Sequence, residues 1–270
     1  MLSFLLVPFL ACVILVFIHG YFGQHVVSRK VIFVDLALAQ LAALGISFAH
    51  LMNIDEQSLW AYGISFLFTL IGAAIFSLTR SRSDRIPHEA IIGMTFVAAT
   101  ALATLVMSHL PQGAEHLEHI LNGSILFLTP KGLKHAALIY AGVGAAAALL
   151  HKRFAKNSEN FHQEPDWPQR FWDMAFYALF GVVVTSSVRI AGVLLVFTFL
   201  IVPSLFSLLF AQSFGRRFLI GSTMGITAAA LGLGLSVRYD WPSSAAIIIT
   251  MTAIFTVAGI QSALTCCVTK

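Results

Sequence analysis

A chain of 270 residues with 58% apolar and only 10% charged side chains lacks the surface of a soluble domain, where about 25% of residues carry charge. Its net charge of +4 sits in short clusters between apolar runs, which excludes the basic stripe of a nucleic-acid binder and fits anchoring at a lipid bilayer. Three cysteines, Cys12 and the adjacent Cys266 and Cys267, show neither the spacing of a zinc site nor that of a disulfide framework.

A helix that spans the hydrocarbon core needs about 20 apolar residues. In chain order nine segments meet or approach that length: 2–19, 31–52, 59–79, 87–110, 134–151, 171–188, 190–211, 218–237 and 243–264. The first has no basic leader and no small-residue cleavage site, so it is expected to be retained as a helix. Only Arg189 separates the sixth and seventh, which predicts either two spans joined by a tight turn or one span plus a re-entrant helix. The expected fold class is all-α, a polytopic transmembrane helical bundle of about nine spans (eight or ten being the alternatives), with 1–270 as a single transmembrane domain. The polar stretch 152–170 reads as a flexible cytoplasmic linker between two halves. Gly221 and Gly225 form a G-x-x-x-G step, read as tight packing within the chain before a dimer seam.

With the N-terminus outside and nine alternating spans, the cytoplasmic side receives Arg29, Lys30, Arg80, Arg82, Arg85, Lys152, Arg153, Lys156, Arg170, Arg216, Arg217 and Lys270. The outside receives Lys131, Lys134, Arg189 and Arg238, together with the acidic Asp55, Glu56, Glu115, Glu118 and Asp240. Twelve basic residues against four obey the positive-inside rule.

No phosphate-cradling loop, zinc-protease motif or nucleophile elbow is present, so the sequence offers no catalytic engine. Attention falls on polar residues inside spans, which are costly in hydrocarbon. Asp35 reads as the one carboxylate well inside a span, either complementing the helix dipole with Arg29 or Lys30 as counter-charge, or facing a pathway. Gln40 sits near mid-bilayer, where it bridges helices or lines a path. Outside, Glu115, His116, Glu118 and His119 combine carboxylate and imidazole, a set suited to divalent transition metals or simply a solvated loop. His19, His50, His109 and His151 are expected at span ends, at ease in the interface.

Four stretches carry a family resemblance. They are Gly23 to Gly45 with the basic pair Arg29-Lys30; Pro87-His88-Glu89-Ala90-Ile91-Ile92-Gly93; Leu121-Asn122-Gly123-Ser124-Ile125-Leu126; and Arg189-Ile190-Ala191-Gly192-Val193-Leu194-Leu195-Val196 continuing to Ile201-Val202-Pro203-Ser204. A weaker echo is Leu235-Ser236 with Asp240-Trp241-Pro242-Ser243. In order and spacing these resemble the permease subunits of ABC importers for zinc, manganese and iron. The family's Asp and His, four residues apart in the second span, align with Leu36 and Gln40; Asp35 stands one residue early, about 100° round the helix. The family's Gly after the proline of the last loop is replaced by Ser244.

The resemblance implies a multi-pass permease of the bacterial inner membrane, not itself an enzyme, that works with a second permease copy, a homodimer being expected. It further implies a cytoplasmic ABC ATPase dimer that hydrolyses ATP, an extracytoplasmic solute-binding protein, no permanently bound cofactor and a metal ion as cargo. The competing readings are a permease for a chelated metal, metallophore or haem and, from other classes, an intramembrane enzyme or a membrane scaffold. The candidate cargo path is Asp35 and Gln40, with Glu115, His116, Glu118 and His119 receiving the ion outside. For coupling to the ATPase, a short helix opened by Pro203, with Ser204, Leu205, Phe206 and Leu209 and followed by Arg216 and Arg217, is the candidate; a simple continuation of the span is the alternative.

Overall fold

The computed structural model describes residues 2–55, 58–80, 86–109, 123 and 125–268. The described residues form nine α-helices, one 3₁₀ turn and no strand. The helices are α1 (Leu2–Arg29), α2 (Val34–Leu51), α3 (Leu59–Thr79), α4 (His88–Met107), α5 (Pro130–Glu159), α6 (Trp167–Ala191), α7 (Val193–Leu208), α8 (Phe214–Tyr239) and α9 (Ser243–Val268), with the 3₁₀ turn at Ile125–Phe127. Eight of them are long and apolar enough to cross a membrane, and α7 is shorter at 16 residues.

The helix starts follow local chemistry. Ser58, Thr129 and Asp166 each accept a first-turn N–H, from Ala61, Gly132 and Gln169. Pro130 and Pro168 stand at first-turn positions that need no amide proton. Stops use the left-handed region: Lys30 (φ 57°) ends α1 and Asp240 (φ 55°) ends α8.

Several boundaries move from the sequence expectation. The break between the sixth and seventh helices falls at Gly192, whose φ of 78° suits glycine, and not at Arg189, which lies in the last turn of α6. The first helix runs on to Arg29 because Gln24 and His25 are buried against neighbouring helices and lose the exposure that would end it. The stretch 152–170 is not a flexible linker. α5 continues through it to Glu159, and Arg80 pins the following turn by donating Nε to the Phe161 carbonyl (3.0 Å) and Nη2 to that of Asn160 (2.9 Å).

Packing divides into two neighbourhoods joined by α6. The most buried helix, α2, is surrounded by α3, α4 and α6, while α1 packs on α5, α7 and α8, and α8 on α9. α7 wedges between α1 and α8 by backbone approach: a Cβ on Gly23 would collide with the Leu200 carbonyl, and one on Gly221 would sit 2.7 Å from that of Pro203. The Gly221/Gly225 step therefore packs within the chain, as expected.

Contacts fix which helix ends share a side. Arg29, Arg80, Asn157 and Asp173 meet at one end, and Gln24 bonds Ser207 nearby. Leu194, Trp241 and Gly123 meet at the other. α7 thus runs the full distance between the two ends, although its 16 residues measure only about 24 Å. The nine α-helices of the described residues alternate in direction, the arrangement on which the charge census was laid out.

Candidate functional site

Along α2 the structure buries the two polar residues singled out by hydropathy. Asp35 is 1% exposed, and neither carboxylate oxygen has a hydrogen-bond partner. Gln40 is 3% exposed with its Oε1 unpartnered. Five residues apart, they stand about 7.5 Å apart along the axis and about 140° round it, so they occupy two levels of one helix rather than a single ligand pair. Among the described residues no three His, Cys, Asp or Glu side chains converge on a metal-sized space. Glu115, His116, Glu118 and His119 lie outside the described residues.

Asp35 is not paired with Arg29, as a dipole-plus-counter-charge account would have it. Arg29 is 1% exposed and turns to Asp173 of α6, Nη1 to Oδ1 at 3.0 Å. The other carboxylate oxygen takes Arg80 Nη1 at 2.6 Å. Asn157 Nδ2 donates to Asp173 Oδ1 (2.7 Å), and Arg29 Nε donates to Ser158 Oγ (2.9 Å). The guanidinium of Arg29 lies 3.9 Å from the Phe176 ring centroid and that of Arg80 lies 4.2 Å from the Phe161 centroid. Two arginines, one aspartate and an amide thus tie α1, α3, α5 and α6 together at one end of the bundle.

Sequence reasoning missed this cluster. Charge counting reads Arg29 and Arg80 as solvated anchors, and Asp173 stands at the rim of its hydropathy window, so Asp35 had looked like the one intramembrane acid. The available signal was an acid, Asp173, in the second turn of a helix whose following residues are apolar up to Val184.

Of the four histidines expected at span ends, His50 and His109 stand there, in the last turn of α2 and just past α4, whereas His19 and His151 lie inside their helices. His19 is not at an interface but fully buried inside α1, Nδ1 against the Leu15 carbonyl at 2.9 Å. His25 contacts Ser158 Oγ through Nδ1 (3.1 Å), and His151 meets the Tyr21 hydroxyl at 3.2 Å.

Pro203 does not open a separate helix. It lies inside α7, buried against Gly221 of α8, and Ser204 beside it is buried at Gly23 with its Oγ donating to the Leu200 carbonyl (2.7 Å). Close glycine-mediated packing holds the proline in a continuous span, the arrangement membranes tolerate. Leu205 and Phe206 are half-buried in the same helix. The accessible part begins later: Leu209 and Phe210 are exposed, Phe210 lies 5.0 Å from the Phe206 ring, Arg216 is exposed and Arg217 Nε caps the Ala211 carbonyl (3.0 Å). This turn lies at the same end as the arginine–aspartate cluster.

A bundle of alternating apolar helices with buried polar residues on its innermost helix and a charged lock at one end defines a polytopic membrane protein of the transport kind. The model of the ABC 3 transport family matches residues 1–262, and the chain belongs to that family. It is 24% identical over 265 residues to the manganese transport system membrane protein MntC of Listeria monocytogenes, covering 95% of this chain and 90% of that protein. It is also 24% identical to the manganese import system permease protein ScaB of Streptococcus gordonii, covering 89% and 85%. Among solved structures, PsaBC from Streptococcus pneumoniae in complex with a Fab superposes with a TM-score of 0.73 at 22% identity over 94% of this chain and 90% of that one, a likeness of fold.

Proposed function

We propose that this chain is the permease subunit of an ABC importer for a divalent metal ion (zinc, manganese or iron), set in the bacterial inner membrane. A second copy would complete the passage, a cytoplasmic ATPase dimer would hydrolyse the ATP, and an extracytoplasmic binding protein would deliver the ion. The chain itself would catalyse nothing. The observation that carries the reading is Asp35, a buried acid on the innermost helix with both oxygens unpartnered. A carboxylate kept there without a partner is explained by a cation that visits it. Relatives whose names specify manganese transport support the same reading.

Asp35 and the Gln40 carbonyl supply oxygen, which favours harder ions such as manganese or iron over zinc. Glu115, His116, Glu118 and His119 are proposed to gather the ion outside. The turn after α7, with Leu209 beside Phe206 of the last helical turn at its apolar side and Arg216 and Arg217 at its rim, is proposed to meet the ATPase. Pro203, Ser204 and Leu205 would transmit that contact from within the span. The test is uptake of labelled manganese, iron and zinc by proteoliposomes holding the assembled complex. ATP-dependent uptake of at least one ion is expected, and uptake of none by an active complex overturns the proposal.

A further inference from the structure

Between α1, α5 and the start of α8 a groove of about 410 Å³ opens on the flank of the bundle, away from α2, which packs on α3, α4 and α6. Small residues of α5 form its floor: Ala137, Ala141, Gly144 and Ala148 recur at helical spacing on one face. Phe17 and Phe218, with ring centroids 6.0 Å apart, form a wall. Two tyrosines also line it, and the protein engages both hydroxyls. Tyr21 donates to the Ala147 carbonyl (3.1 Å), and Tyr140 pairs with Ser187 Oγ (2.9 Å). The described lining therefore offers carbon to an occupant. The groove is open outward, since Phe17 is 44% exposed and Ala141 and Ala148 are exposed beside it. On α5 it lies between Lys134 and Lys152, at a depth where no water is available to fill it, and left empty its walls would forfeit their contacts.

We propose that this groove holds one acyl chain of an anionic phospholipid from the cytoplasmic leaflet. The lipid site depends on the sidedness of the bundle and not on the nature of the cargo, so it stands or falls separately from the importer reading. The start of α8 marks the cytoplasmic mouth: the Phe214 ring lies 4.8 Å from that of His151 and 5.8 Å from that of Tyr21. Only near that mouth does α8 add Phe218 as a third side. One helical turn past Ala148, on the same face of α5, stands the exposed Lys152, and Arg216 is exposed two residues before Phe218. Both can lift their charge to a headgroup phosphate while their stems cover hydrocarbon. From Lys152 to Ala137 the helix rises about 22 Å, more than one leaflet's share of a core about 30 Å thick. The tail is therefore held extended along α5. A second copy of the chain fits this groove less well. Related by a two-fold axis along the membrane normal, it would bring Lys152 towards its own counterpart.

The test uses the full-length permease in phosphatidylcholine nanodiscs that carry a tracer of phosphatidylglycerol with a photoactivatable diazirine in one acyl chain. Light is expected to mark Ile14, Ala137 or Ala141 in the groove ahead of open lipid-facing positions such as Val97 and Ile249. Gly144→Leu fills the groove, and because a Cβ there meets only Ile18 Cδ1, at 3.9 Å, the variant should fold. It is expected to lower groove labelling about tenfold, the worth of the roughly two methylene groups it displaces. Lys152→Glu should cut labelling by the anionic tracer about fivefold and leave labelling by a phosphatidylcholine tracer unchanged. Equal marking of the groove and of Val97 and Ile249 in the wild type overturns the site, as does wild-type labelling in Gly144→Leu. Labelling indifferent to headgroup in the wild type overturns the choice of an anionic lipid. A disulfide-linked dimer formed through Ala141→Cys, in a chain whose other cysteines have been replaced, would assign the groove to a second copy and overturn the lipid.

Discussion

Two aspartates in this chain meet the low dielectric of the interior in opposite ways. Asp173 is neutralised by two guanidinium groups and an amide, so its charge is matched where it stands. Removing one partner from such a set leaves a buried charge uncompensated, at a cost of about 3–5 kcal/mol. Asp173→Ala should therefore lower the melting temperature of the purified permease sharply, because Arg29 and Arg80 would then repel each other in a dry site; an unchanged melting curve would show that the cluster does not hold the bundle. Asp35 has no such partners. If it binds the ion, Asp35→Asn keeps the shape and should abolish uptake with normal assembly. If it only complements the dipole of α2, uptake should persist and stability should fall by about 0.3–1 kcal/mol. Parallel uptake and unfolding measurements on the one variant separate the two roles.

At the level of helices, what was readable and what was not have different physical origins. Apolar length fixes the existence of α2, α3, α4, α8 and α9, because hydrocarbon demands it of any spanning helix. It does not fix where α1 or α5 ends, since polar residues such as Gln24, His25 and Asn157 prolong those helices by finding partners far away in the chain. Asp173 bonds Arg29 across 144 residues, a pairing no local window contains. The α6–α7 break was legible as a break but not as Gly192, because charge drew attention to Arg189 three residues earlier. The wedge of α7 between Gly23 and Gly221 is likewise a tertiary fact. Gly221→Val should force α7 and α8 apart, with an overpacking cost of about 1–3 kcal/mol read as a lower unfolding temperature. The exposed turn beyond α7 makes a separate prediction: Leu209→Asp with Phe210→Asp should leave the permease inserted but uncouple ATP hydrolysis from uptake in the assembled complex. Retained coupling would assign the contact to another cytoplasmic segment.

For the molecule as a whole, the charge census and the packing are compatible with one topology, the packing giving the helix directions and the census the sidedness. The census assigns sides from basic residues alone. The packing gathers the ends of α1, α3 and α5 and the start of α6 around Asp173, and the start of α7 with the α8–α9 connection at the opposite end. Both fit nine alternating crossings when the short α7 is counted beside the eight helices long and apolar enough to span. The orientation is then testable with single cysteines in a variant whose Cys12, Cys266 and Cys267 have been replaced. Ser213 lies in the exposed turn between α7 and α8, and Ser108 is exposed beyond the last turn of α4. In intact cells, Ser108→Cys should react with an impermeant thiol reagent added outside, and Ser213→Cys should react only after the membrane is opened. If α7 were re-entrant and returned to its starting side, Ser213 would label from outside together with Ser108. That result would reduce the crossings to eight and move the proposed ATPase contact to the wrong face, so this pair of positions tests the count, the orientation and the coupling site at once.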